Sequence, residues 1–139
     1  MSGEDNSFEE KIGQFEDVDD LDLGALIEKG RDALITEIVE YYDVDEQKKM
    51  RGRIYIAPIS HGDWRDASSA ATKNKSKRDL EELVCAKCWL KKDGSLHNLS
   101  EIQEGQKGLI TAVYEKIKYI SGIFSDPFEE KFLDRLSNS

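Results

Sequence analysis

Cys85 and Cys88, in the run VCAKCW from Val84 to Trp89, have the spacing that can hold a zinc ion or carry out thiol–disulfide exchange. Zinc needs two more ligands, and His61 and His97 carry suitable imidazoles. Their spacing from the cysteines matches no standard finger. Both cysteines also fall inside an apolar helical run instead of a knuckle of turn residues. A redox pair usually presents one thiol at a helix start after a strand, whereas helix-patterned sequence precedes Cys85. We therefore read Cys85 and Cys88 as buried structural thiols, with no metal and no cofactor. Neither histidine has a Ser or Cys nucleophile and an acid in a recognisable arrangement, so no catalytic residue is assigned and no enzyme activity is expected. Gly105 and Gly108 lack the Lys-Ser/Thr continuation of a phosphate loop and read as helix punctuation. Lys73, Lys75, Lys77 and Arg78 form a basic run without interleaved aromatics, which reads as a solvated loop.

The elements that position these groups belong to one small domain, as 139 residues allow. The net charge of −9 argues against general affinity for nucleic-acid phosphate. It is unevenly spread: residues 1–46 hold sixteen acids and three bases, and residues 47–139 hold thirteen acids and seventeen bases. The acidic head reads as a solvated arm or as an intramolecular mask over the more basic body. The first fifteen residues lack the apolar core of a signal peptide, and nothing approaches the ~20 apolar residues of a membrane span. A cytoplasmic protein with reduced cysteines is expected.

Residues 1–20 are taken as an acidic flexible tail, in which Phe8, Ile12 and Phe15 share helical spacing. Residues 21–124 are the globular domain, and 125–139 a C-terminal amphipathic helix with a polar end. Leu21 to Ala33 reads as a short helix. Leu34 to Tyr42 fits helix and strand spacing alike; its Ile, Thr, Val and Tyr content favours a strand. Asp43 to Gly52 is then a polar connection, and Arg53 to Ile59 a second strand with Ile54, Ile56 and Pro58 on one face. Ser60 starts a helix over Gly62 to Ala71 that carries Trp64, and Thr72 to Lys77 is a loop. A buried helix covers Leu80 to Leu90, and Asp93-Gly94 makes a turn. A short helix starts at Ser100 and Glu101. The stripe Leu109, Val113, Ile117, Ile120 is the last core helix, ended by Ser121-Gly122. Asp126 caps a final helix, with Pro127 at its first position and Phe128, Phe132, Leu133 and Leu136 along one face. The expected class is α+β, mainly α-helical: a helical core with a small N-terminal β-hairpin or strand pair.

This order of features resembles the tail assembly chaperones of long-tailed phages and related viruses or prophages. The resemblance covers about residues 50–124. It rests on IAPIS (Ile56 to Ser60) entering a Trp-bearing helix, on DLEELVCAKCWLKKDGS (Asp79 to Ser95), and on EIQEGQKGLITAVYEKIKYISG (Glu101 to Gly122) running into Ile123 and Phe124. The Cys-x-x-Cys departs from the family pattern. The resemblance implies a non-enzymatic protein that binds the tape-measure protein and the tail-tube protein during tail assembly and is absent from the finished particle. Such a role needs an apolar surface, for which Trp64, Tyr119, Phe124, Phe128, Phe132 and Leu136 are the candidates. The alternatives are a virion structural or adaptor protein at the head–tail junction or in the tail, and a small zinc- or nucleic-acid-binding module. Homo-oligomerisation stays open; no membrane contact is expected.

Overall fold

The structure is a computed structural model that describes residues 34–129, together with Asp20 and Asp22. The expected acidic tail, the helix over Leu21 to Ala33, and Phe132, Leu133 and Leu136 of the final helix lie outside the described residues, apart from those two aspartates.

Strand β1 (Ile35–Asp43) alternates strictly: Ile35, Glu37, Val39 and Tyr41 turn inward, and Thr36, Ile38, Glu40 and Tyr42 outward. It pairs antiparallel with β2 (Lys48–Ile56), from Ile35 opposite Ile56 to Asp43 opposite Lys48. The sequence suggests a long loop before the second strand; instead the strands are nine residues each and the link is only residues 44–47. Two local devices make so short a link workable. The Asp43 carboxylate accepts from the amides of Asp45 (2.9 Å) and Glu46 (3.1 Å), an Asx turn. Gln47 then takes a left-handed backbone, with φ at 54°. Pro58 lies beyond the end of β2, where its missing donor breaks no ladder.

Ser60 caps helix α1 (His61–Asn74), its hydroxyl accepting from the Asp63 amide at 3.2 Å. The helix runs three residues past the expected Ala71. Only Lys75, left-handed at φ 54°, and Ser76 separate it from α2 (Lys77–Cys88). Ser76 caps α2 through the Asp79 amide at 3.1 Å. Leu80, Val84, Cys85 and Cys88 are buried along one face of α2. The helix stops before the expected Leu90. Trp89 swings into extended backbone, and Trp89–Leu90 forms a short strand β3 on the edge of β2, in the sheet order β1-β2-β3. Pairing with β2 thus overrides the helical pattern.

Asn98 caps the five-residue α3 (Leu99–Gln103). Helix α4 (Lys107–Ile120) carries the apolar stripe and buries Ile110, Val113, Tyr114 and Ile117 against β1 and α2. Gly105 makes the approach possible, since a Cβ there would come within 2.8 Å of Ile110 Cδ1. The helix ends in a Schellman turn. Gly122 sits at φ +74°, and the amides of Gly122 and Ile123 donate to the carbonyls of Tyr119 and Lys118. Residues 127–129 are helical, and Asp126 caps them as the sequence indicates. The fold is α+β and mainly helical, with an antiparallel sheet on its N-terminal side.

Two isoleucines on opposite faces of the sheet offer a direct check. Ile56 is fully buried and Ile38 is 45% exposed. Ile56→Ala is expected to cost about 3 kcal/mol and Ile38→Ala less than about 1 kcal/mol, read from urea unfolding midpoints at unchanged slope.

Candidate functional site

The most distinctive chemistry lies where α4 ends and the chain turns back. Asp126 is fully buried, yet its environment holds it ionised. Burial alone would raise its pKa. The Glu129 amide, the Tyr114 hydroxyl, Lys77 and Lys118 together overcome that penalty and hold the carboxyl below its ordinary value. Tyr114 Oη donates to Asp126 Oδ2 at 2.9 Å, and Oδ1 accepts from the amides of Phe128 and Glu129 at 3.0 Å each. Lys77 Nζ is 3.4 Å from Oδ2 and Lys118 Nζ 3.7 Å. Glu129 completes a capping box by accepting from the Asp126 amide at 3.3 Å. It also meets Lys118 at 3.2 Å and Lys77 at 3.4 Å. Lys118 is 3% exposed; its ammonium lies 5.0 Å from the Tyr114 ring centre and reaches Glu115 at 3.3 Å. Burial opposes the Lys77 charge, but Asp126 and Glu129 raise its pKa above the lysine norm. Burial and the bond to Asp126 push the Tyr114 phenol far above its usual range, so it stays protonated as a donor.

Such a cluster holds backbone in place, since it ties the amides of Phe128 and Glu129 to α2 and α4. What it positions is a shallow groove of about 330 Å³ lined by Ala112, Glu115, Lys116, Lys118, Tyr119, Ile123 and Phe124. Tyr119 is 48% exposed and Phe124 62%. Of the candidate contact residues, the structure brings these two together. Trp64 and Phe128 are half-buried and pack against the core instead. Phe132 and Leu136 lie outside the described residues.

Cys85 and Cys88 are unbridged and buried. Cys85 Sγ faces the Ile110 carbonyl at 3.7 Å. Burial first, then neighbouring negative charge, raises both thiol pKa values, that of Cys88 to about 12. Neither is poised as a thiolate. His97 tilts against the Trp89 ring at 4.7 Å and approaches Glu101 at 3.5 Å. Among the described residues, no group of three or more His, Cys, Asp or Glu side chains is placed to hold a metal ion. No described helix is long and apolar enough to cross a membrane.

Sequence reasoning recognised Asp126 as a cap but not as the centre of a charge cluster. Lys77 and Lys118 come from other helices, and only the fold joins them to it. It also missed buried Glu81, which meets Lys107 Nζ and accepts from Thr111 at 3.1 Å. An acid inside the apolar stripe of Leu80 and Val84 was the available signal.

The Asp126 carboxyl binds its proton less tightly in the folded chain than in the unfolded one. Its contribution is therefore complete above the unfolded value of about 3.9 and is lost as pH falls through the lower folded value. Asp126→Asn is expected to lose about 3 kcal/mol at pH 7 by removing one partner of a buried charge cluster. In urea titrations run against pH, the gap from the wild type should narrow below about pH 4. A second measurement concerns the thiols: an aromatic disulfide reagent is expected to modify neither Cys85 nor Cys88 in the native protein and both in denaturant.

Compared with known proteins, the chain matches no family model, no curated protein and no solved structure.

Proposed function

We propose that the protein is a non-enzymatic tail assembly chaperone, acting in the cytoplasm on a tape-measure or tail-tube protein before its assembly. The observation that carries this reading is the groove between the end of α4 and the turn after it, where Tyr119 and Phe124 stand exposed beside Ala112 and Ile123. Aromatic side chains on a rigid base are effective anchors for an apolar helical stripe, because they bury a large area with few rotatable bonds to freeze. The base is rigid because the chain on either side is tied down, by the Schellman turn at Gly122 and by the Asp126 cluster. Glu115 and Lys116 at the rim supply charges of both signs, which suits a polar border around an apolar centre. An unassembled tape measure exposes long apolar stripes, and a reversible cover of this kind keeps them from associating with one another. The resemblance of residues 50–124 to the tail chaperones supports the same reading.

The test is to purify the tagged chain from cells assembling the virus, and to search finished particles for it by mass spectrometry. Tape-measure or tube protein should co-purify and the chain should be missing from particles. A fixed stoichiometry in particles would instead identify a structural tail or adaptor component. A Tyr119→Ser/Phe124→Ser variant is expected to keep its unfolding midpoint within about 1 kcal/mol of the wild type and to capture the tape measure at least about tenfold more weakly.

A further inference from the structure

The outward face of the sheet is unlike an ordinary solvated face. Across β1 and β2 the outward pairs are Thr36 with Tyr55, Ile38 with Arg53, Glu40 with Arg51, and Tyr42 with Lys49. Leu90 lies opposite Tyr55, and Leu96 bridges to Leu90. The face therefore combines apolar and aromatic side chains, with Ile38, Tyr42 and Leu96 all about half exposed, and a row of three cations along β2. Arg51 is paired with Glu40 at 2.9 Å; among the described residues, neither Lys49 nor Arg53 has a carboxylate partner. A single-layer antiparallel sheet that turns one face to water normally presents polar residues there.

We propose that this face is the docking surface for the chain's own acidic N-terminal segment, residues 1–33. Charge complementarity identifies the occupant. Residues 1–33 carry eleven acids and three bases, whereas residues 34–139 hold eighteen acids and seventeen bases. Phe8, Ile12 and Phe15 in that segment supply apolar groups at helical spacing for Ile38, Tyr42 and Tyr55 to cover, with acids on either side to meet Lys49, Arg51 and Arg53. Tethering favours this occupant over any free competitor, since the segment joins β1 directly at Leu34 and its effective concentration is of millimolar order. Reach is not limiting. The eighteen residues 16–33 span about 27 Å if helical and up to about 60 Å if extended; a nine-residue strand is about 30 Å long. Nucleic acid is the less favoured occupant, because the chain's net charge of −9 opposes it. Docking of this kind is independent of what binds the α4 groove.

The experiment uses the full chain with Ser7→Cys carrying a nitroxide, the buried Cys85 and Cys88 being shielded from the label. Amide signals of residues 49, 51, 53 and 55 and of Ile38 and Tyr42 are expected to lose at least half their intensity relative to the reduced label. Those at α1 should be unaffected. About 1 M salt shortens the Debye length to ~3 Å and should restore most of the intensity, as should Lys49→Glu/Arg51→Glu/Arg53→Glu. The salt arm stands even if that triple variant fails to fold. Absence of broadening on the sheet, or broadening centred on the Tyr119 groove, would overturn the proposal. So would broadening that persists when label and isotope are on separate chains, which would mean a second copy is the occupant. Loss of sheet broadening only on adding a single-stranded oligonucleotide would support docking and make nucleic acid a competitor for the same face.

Discussion

An ionised carboxylate with no access to water is the constraint around which the C-terminal half is arranged. Asp126 tolerates burial only because two backbone amides, a phenol and two ammonium groups surround it. Those groups come from three places: Lys77 from the first turn of α2, Tyr114 and Lys118 from α4, and the amides from the chain after the turn. Meeting the needs of one carboxylate thus fixes the relative positions of two helices and the point where a third begins. The exposed aromatics at the groove inherit their placement from this arrangement. Lys118 links the two levels, since its ammonium joins the cluster while the residue also lines the groove.

A second charged contact does similar work at the other end of α4. Glu81 projects from the buried face of α2 and meets Lys107 and Thr111 in the first two turns of α4. Two adjacent turns at the start of α2 therefore carry charged contacts to two separated points along the chain of α4: Glu81 with Lys107 in its first turn, and Lys77 with Asp126 and Glu129 beyond its end. Apolar stripes alone permit sliding by a helical turn. Opposite charges at two separated points penalise every other register, because a slipped arrangement would leave a buried charge without its partner.

Much of this architecture could be read from residues whose signals are local. Ser60 and Asp126 declare helix starts by their own hydrogen bonds to nearby amides, and the alternation around Ile54 and Ile56 declares a buried strand face. What could not be read depends on distant partners. Lys48 to Gly52 looks like a polar loop; it is strand because it has β1 to pair with, down to Arg51 reaching Glu40. Trp89 and Leu90 continue a helical pattern, yet leave the helix because β2 offers them hydrogen bonds. The groove follows the same logic. Tyr119 and Phe124 are near in sequence, but only the turn at Gly122, held by the cluster beneath it, determines that both rings stand at one depression.

Gln106 stands at the N-cap of α4 but makes no capping bond there with its side chain. The amide group reaches instead to the tip of the hairpin, accepting from the Val44 amide at 2.9 Å and donating to the Asp43 carboxylate at 3.2 Å. One side chain is thereby shared by two segments more than sixty residues apart, and this bears on the order of events during folding. The hairpin tip can curl early, since its Asx turn is local, but its outermost pairs gain this clasp only after the intervening helices have brought α4 back to it. The tip of the sheet and the first turn of α4 should therefore open and close together, as a single cooperative unit, despite their distance along the chain.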